Sequence, residues 1–180
     1  MEIVVLGCGS VGSGVTRDLV SEESRGIDKV IVSDSREEKA KQVKDELGDD
    51  RIDPKFCDVS DRGQTLELLD GADVCVNCVP TRAGYQIDIM KAALEAECPY
   101  LDIGGLYHTT LEQKKLHGDF AKEGVPAVLG WVRLLDRLMF LRVMVRKNLK
   151  KWKKWSYILS GRIWDRKARF LYLFIPYSLL

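Results

Sequence analysis

The sequence predicts an α/β protein whose core is a doubly wound, six-stranded parallel sheet. Residues 1–130 alternate short apolar runs with amphipathic or charged helical segments. The apolar runs are continuous, as expected of strands that are buried on both faces. The first run also ends in a glycine-rich turn that opens a helix, which is typical of such sheets. The alternation closes near Gly130, so the sheet is predicted to be complete there.

Each predicted element has its own signal. Glu2 to Leu6 is a β-branched run that ends at a glycine, and Val11, Val15 and Leu19 then recur at helical spacing. The predicted strands cover 2–6, 29–33, the segment around 55–57, 72–79, 99–103 and 125–129. The predicted helices cover 11–20, 36–47, 60–69, 84–96 and 109–122.

Composition divides the chain at Gly130. Residues 1–130 contain 15 Lys and Arg against 25 Asp and Glu, whereas residues 131–180 contain 13 against 2. All four tryptophans lie in the second part and all five cysteines in the first. We therefore predict two units, a folded domain at 1–130 and an atypical basic tail at 131–180.

Cysteine usage and the amino terminus predict a cytoplasmic protein without a metal site. Five cysteines are an odd number, and the sequence opens without a basic, apolar targeting segment. Cys75 and Cys78 form a C-x-x-C, but strand alternation directs them to opposite faces, which indicates core thiols. No apolar run reaches the roughly 18 residues that a membrane span needs.

The first turn predicts a phosphate-binding loop. It reads G-x-G-x-x-G, with Gly7 allowing the tight turn, Gly9 allowing backbone to approach a pyrophosphate, and Gly12 allowing close helix packing. The amides of Ser10 and Val11, at the start of the helix, would face the phosphates. The alternative is a glycine-rich packing turn without a ligand.

The end of the second predicted strand bears on which dinucleotide binds. Asp34 stands 22 residues after Gly12, where a carboxylate can accept the adenosine ribose hydroxyls and favour NAD. Arg36 could instead hold the 2′-phosphate of NADP, or could be a solvated residue of the next helix. The cofactor prediction is therefore NAD or NADP.

Two later strand ends supply further candidates. Asp58 and Val59 would lie against the adenine, although a simple loop cap fits them almost as well. Asn77, Val79 and Pro80 are predicted to lie near the nicotinamide ribose, because they follow the fourth strand.

Residues 7–12, 77–80, 100–105 and 124–130 together resemble the nucleotide-binding domain of saccharopine dehydrogenase-like oxidoreductases. The resemblance implies a Rossmann-like domain, NAD(P)-dependent chemistry at a carbon–nitrogen bond of an amino acid or related amine, and a second domain that closes over the substrate. Asp102, after the fifth strand, is the candidate catalytic carboxylate at the cleft mouth. A structural hydrogen-bond acceptor is the alternative at that position.

The tail departs from this pattern at Trp131 and is predicted to be frameshifted. Trp and Met have single codons, so codons shifted by one base turn Trp131-Val132 into Gly, Met139-Phe140 into Val and Met144-Val145 into Gly. In the shifted reading frame, permitted codons also restore a Pro-Gly loop. They replace the basic run KKWKKW, residues 150–155, with an acidic run. We therefore expect a truncated product, in which the tail replaces a substrate domain.

Other functions stay open. The main alternative is a nucleotide-sensing module whose basic tail contacts a membrane or nucleic acid. A methyltransferase that binds S-adenosylmethionine is disfavoured, because Val5 and Leu6 occupy the place of the usual acid before the loop. The preferred interpretation has a dinucleotide and an amino-acid-like substrate as ligands, no nucleic-acid or membrane partner, and room for a homodimer.

Overall fold

The computed structural model describes residues 1–22, 24–104, 106–130 and 170–172. Six strands belong to residues 1–130: β1 (Glu2–Leu6), β2 (Lys29–Asp34), β3 (Ile52–Phe56), β4 (Val74–Asn77), β5 (Tyr100–Asp102) and β6 (Ala127–Leu129). The helices are α1 (Ser10–Leu19), α2 (Glu37–Leu47), α3 (Arg62–Leu69), α4 (Gln86–Glu95), α5 (Tyr107–Lys115) and α6 (His117–Glu123), with a short 3₁₀ helix at Thr81–Ala83.

The six strands form one parallel sheet, as the sequence predicts, and their order in it is β3-β2-β1-β4-β5-β6. Leu6 pairs with both Ser33 and Asn77, so β1 is central. Strand order reverses between β1 and β4, and ligands of such sheets bind at this switch point, beyond the carboxyl ends of the strands. Pro54 lies in β3, the edge strand, where a missing backbone donor is tolerated.

Helices cover both faces of the sheet. On one face, Val15 and Leu19 of α1, with residues of α2, pack in one cluster against alternate residues of the strands. On the other face, Met90 of α4 and Phe120 of α6 pack, together with α3, against the remaining strand positions. Most residues of β1, β2 and β4 are therefore buried, which explains their continuous apolar runs, whereas β3, at the edge of the sheet, buries only Ile52.

The expectation that residues beyond Gly130 would not extend the sheet is wrong for one segment. Residues Phe170–Tyr172 form a seventh strand, β7, parallel to β6, with Val128 paired to Leu171. Without it, β6 would be an edge strand with a row of unpaired backbone groups. The KKWKKW run and the rest of 131–180 lie outside the described residues.

The largest difference between the described helices and the sequence expectation concerns the last predicted helix. The single helix expected over 109–122 is two helices, α5 and α6, that meet at Leu116. A tight turn forms there, in which the Leu116 amide donates to the Gln113 carbonyl at 3.1 Å. None of the described helices is long and apolar enough to cross a membrane.

The cysteines lie where strand alternation predicts. All five are buried free thiols. Cys75 packs in the cluster on the α4 face, whereas Cys78 packs in the cluster on the α1 face. Burial raises the pKa of Cys8 and of Cys78 to about 12 in each case. Within the described residues, no three His, Cys, Asp or Glu side chains are grouped to hold a metal ion.

Candidate functional site

The glycine-rich loop crosses the switch point between β1 and β4. Gly7 has φ of +93°, and a Cβ there would stand 3.1 Å from the backbone carbon of Cys78. A Cβ on Gly12 would stand only 1.8 Å from the Gly7 carbonyl oxygen. These two glycines are therefore required by the chain itself, because backbone occupies the space that a side chain would need.

Gly9 differs from its two neighbours in the motif. A Cβ at this position would meet no atom within 4 Å, so packing does not explain the glycine. Gly9 is the N-cap of α1 and provides no side-chain cap, and the first turn of α1 contains no acidic residue. The positive end of the helix, with the amides of Ser10 and Val11, thus begins beside open space, which suits a pyrophosphate.

Asp34 lies against this loop, at the end of β2. Its Oδ2 accepts the Cys8 amide at 3.0 Å, and its Oδ1 accepts the Arg36 amide at 3.0 Å. The Arg36 Nε stands 3.7 Å from the same Oδ1. The Asp34 side chain is only 13% exposed, whereas that of Arg36 is 66% exposed. Asp34 therefore braces the loop, and the guanidinium of Arg36 is the more accessible group.

The loop after β3 is stabilised by hydrogen bonds between its own residues. Asp58 Oδ1 accepts the Ser60 amide at 2.9 Å and the Ser60 hydroxyl at 2.7 Å, and these bonds lower the pKa of Asp58. Val59 is partly buried against the cluster on the α4 face. These contacts match the loop-cap alternative for Asp58, and they place both residues beside the carboxyl end of the sheet.

In the loop after β4, the backbone amide and the backbone carbonyl of Val79 both bond to side chains. Asn77 Oδ1 accepts the Val79 amide at 2.9 Å, and Gln86 Nε2 donates to the Val79 carbonyl at 3.1 Å. Both Asn77 and Gln86 are buried. Pro80 then precedes the 3₁₀ helix. The backbone at Val79 and Pro80 is thereby fixed next to the glycine loop, since a Cβ on Gly7 would stand 3.2 Å from the Val79 nitrogen.

Asp102 lies below the loops and not at a cleft mouth. It is 1% exposed. Its Oδ1 accepts the amides of Gly104 and Gly130 at 3.0 and 2.9 Å, and its Oδ2 accepts Tyr100 Oη at 3.1 Å as well as Gln113 Nε2. Burial raises the pKa of Asp102, and these hydrogen bonds oppose the rise. Since both oxygens already have protein donors, the contacts match the structural alternative for this carboxylate.

Three residues that support the site receive no role of their own in the sequence analysis: Tyr100, Gln113 and Gln86. Each is buried and polar, and each holds a residue that the sequence does single out. One signal was available, because Tyr100 and Asp102 stand two apart in an otherwise apolar strand and so share a face. For the two glutamines no local signal exists, since glutamine is ordinary on a helix surface.

Comparisons with known proteins agree with this geometry. The family model described as the saccharopine dehydrogenase NADP binding domain matches residues 3–128. Apo saccharopine dehydrogenase (L-Glu forming) from Saccharomyces cerevisiae is 17% identical, with a TM-score of 0.58 over 71% of this chain. A probable dehydrogenase from Thermotoga maritima is 20% identical, with a TM-score of 0.55 over 81% of this chain.

A third similar structure contains a cofactor. NADPH-dependent quinone oxidoreductase from Escherichia coli, complexed with NADPH, is 18% identical, with a TM-score of 0.53 over 70% of this chain. The matched part spans 26%, 41% and 47% of these three structures, so they share the fold of one domain. The match over residues 3–128 shows that this chain belongs to the family of saccharopine dehydrogenase NADP-binding domains, which bind a nicotinamide dinucleotide.

Proposed function

We propose that the chain binds NADP(H) in preference to NAD(H), as the cofactor-binding part of an oxidoreductase that acts on a carbon–nitrogen bond of an amino acid or related amine. The observation that carries the preference is the arrangement at the end of β2. There an exposed arginine follows a carboxylate that is already engaged with the glycine loop.

The charges at this corner favour a 2′-phosphate. Asp34 would repel the phosphate most strongly if its oxygens faced the ribose, but both accept backbone amides. Arg36 offers a planar fork of donors that matches phosphate oxygens. Burial and the charge of Asp34 raise the pKa of the Cys8 thiol, and the charge of Lys39 opposes this rise, so Lys39 is a second cation near the same loop.

The proposed positions of the other parts of the dinucleotide follow from the order of the loops along the sheet. Gly9, Ser10 and Val11 would receive the pyrophosphate. The loop at Asp58 and Val59 lies on the adenine side of the switch point. Residues 77–80 lie on the nicotinamide side, with Asn77, Val79 and Pro80 as proposed neighbours of the ribose.

In this assignment the bound nicotinamide supplies hydride transfer, and this chain supplies its position. The Val79 backbone, held by Asn77 and Gln86, forms one wall of the nicotinamide side. Substrate chemistry needs a second wall and a proton donor or acceptor, and Asp102 is not assigned that part because it is engaged inside the protein. The amino-acid-like substrate is proposed from family membership.

The decisive experiment measures NADPH and NADH binding by calorimetry to the wild type and to Arg36→Ala. We expect NADPH to bind more tightly to the wild type. Arg36→Ala should weaken NADPH about 10- to 100-fold, as expected for a lost charged hydrogen bond, and leave NADH within about twofold. Arg62→Ala is the matched control, because Arg62 is also exposed but pairs with Glu95 away from the loop. Tighter binding of NADH, or equal losses for both nucleotides, would contradict the preference.

A second pair of variants tests the pyrophosphate seat. Gly9→Val should weaken either dinucleotide at least about 100-fold, because the new side chain would fill the space that the phosphates need. Gly14→Val is the control, since Gly14 lies in the same helix and a Cβ there also meets nothing within 4 Å. If both variants bind like the wild type, the seat is elsewhere.

A further inference from the structure

Four buried polar side chains form one hydrogen-bonded group beneath the nicotinamide side of the site. The group, called here the β5 network, consists of Asn77, Tyr100, Asp102 and Gln113. Each is at most 2% exposed. Asn77 and Asp102 are register partners on β4 and β5, and Tyr100 shares their face, because it stands two residues before Asp102.

The hydrogen bonds within the network all lead to Asp102 as the final acceptor. Asn77 Nδ2 donates to Tyr100 Oη at 2.9 Å, and Tyr100 Oη donates to Asp102 Oδ2 at 3.1 Å. Gln113 Nε2 also donates to Asp102 Oδ2. The tyrosine hydroxyl is thus the only link, among these described contacts, between the side chains of Asn77 and Asp102. Burial, followed by the charge of Asp102, raises the pKa of Tyr100 well above its ordinary value, so the hydroxyl keeps its proton.

The ends of the network reach three separate loops, of which the loop after β6 is described only at Gly130. Asn77 accepts the Val79 amide in the loop after β4. Asp102 accepts the Gly104 amide after β5 and the Gly130 amide after β6. The loops after β4 and β5 also lie close together, since a Cβ on Gly104 would stand 3.0 Å from Thr81 Oγ1. One buried group therefore connects the backbone of three neighbouring loops at the carboxyl edge of the sheet.

Filling this space with polar side chains has a cost in folding free energy. A buried carboxylate loses its hydration, and apolar residues of similar volume stabilise a core at least as well. Hydrogen bonds, however, fix distances and directions that apolar packing leaves adjustable. The arrangement is therefore better suited to setting the spacing of the loops than to adding stability.

We propose that Tyr100 and Asp102 are positioning residues, which set the spacing of the three loops around the nicotinamide half of the dinucleotide. The inference rests on the proposed NADP(H) function. It predicts that damage to the β5 network weakens recognition of the nicotinamide end and spares recognition of the adenosine end. The adenosine end depends on the glycine loop and Arg36, which have no described hydrogen bond to the network.

The test compares two ligands on the full chain: NADPH, and adenosine 2′,5′-bisphosphate, which lacks the nicotinamide half. Tyr100→Phe removes one hydroxyl and keeps the ring. We expect it to weaken NADPH about tenfold, as for a buried group that loses its partner, and to leave the bisphosphate within about twofold. Asp102→Asn, which keeps the shape of the side chain, should shift the same ratio in the same direction and serves if Tyr100→Phe does not fold.

Phe120→Leu is the matched control for lost stability. Phe120 is fully buried on the same face of the sheet and has no polar side-chain atom. It should lower the free energy of unfolding without changing the ratio of the two affinities. An unchanged ratio in both Tyr100→Phe and Asp102→Asn, or an equal shift in Phe120→Leu, would overturn the positioning role. Failure of the wild type to bind either ligand would instead refute the proposed function.

Discussion

The two halves of the site are built in different ways. In the glycine loop, shape comes from missing side chains: Gly7 and Gly12 leave room for backbone, and the position of a Cβ on Gly9 is open space. In the loops after β4, β5 and β6, shape comes from buried side chains that hold backbone amides, above all Asn77 and Asp102. One half is defined by steric exclusion within a few residues, and the other by hydrogen bonds between distant ones.

This difference predicts how each half fails. A steric site changes abruptly, because a single Cβ either fits or collides with backbone. A hydrogen-bonded site changes in steps, since each lost bond leaves the others in place but alters their geometry. Three predictions test that contrast, from the largest expected effect to the smallest.

The largest effect is expected when Gly12 and Gly9 are each changed to valine. Gly12→Val should lower the free energy of unfolding by more than about 3 kcal/mol or prevent folding, because its Cβ would overlap the Gly7 carbonyl. Gly9→Val should stay within about 1 kcal/mol of the wild type, since its Cβ meets no atom. Urea denaturation monitored by circular dichroism measures both. Equal destabilisation would show that Gly9 is also a packing residue.

An intermediate effect is expected as non-additivity inside the β5 network. Tyr100→Phe removes the hydrogen bond that Asp102→Asn alters, so their combined cost should fall short of the sum by about 0.5–3 kcal/mol. Tyr100→Phe combined with Gly9→Val joins the two halves, and these costs should add within about 0.5 kcal/mol. Unfolding free energies measured for all the single and double variants test both expectations. Strong coupling between the halves would remove the distinction between them.

The smallest effect is a pH dependence that Asp102 contributes. Its folded pKa is raised by burial, so the folded protein binds this proton at higher pH than the unfolded chain does. The associated stability is complete below the unfolded pKa of about 3.9 and is lost as pH rises through the folded pKa. The stability of the wild type relative to Asp102→Asn should therefore fall as pH rises from about 4, with a slope of about 1.4 kcal/mol per pH unit between the two pKa values.

Asp58→Asn is the control with the opposite sign. The pKa of Asp58 is lowered by Ser60, so its contribution is present above the unfolded pKa and is lost as pH falls through the folded pKa. Relative to Asp58→Asn, the wild type should gain stability as pH rises. Unfolding curves at several pH values measure both differences, and slopes of the same sign would contradict the assigned environments.

The sequence alone determined the order of strands and helices along residues 1–130 and the location of the glycine-rich loop. Both follow from local rules, because continuous apolar runs require burial on both faces, and a G-x-G-x-x-G after a strand requires close backbone contacts. The split of the last helix at Leu116 could not be predicted in this way, since a single turn decides it.

Only the tertiary structure decided the remaining features. Strand β7 adds to β6 from far along the chain, at residues 170–172, through backbone bonds that leave little trace in the sequence. The position of Asp102 below the loops depends on Gln113, Gly104 and Gly130, which the fold brings to one carboxylate. The local sequence around a carboxylate at the end of a strand does not show whether its side chain faces a cleft or is surrounded by hydrogen-bond donors. The choice depends on partners that are distant in the chain, and the fold alone brings them together.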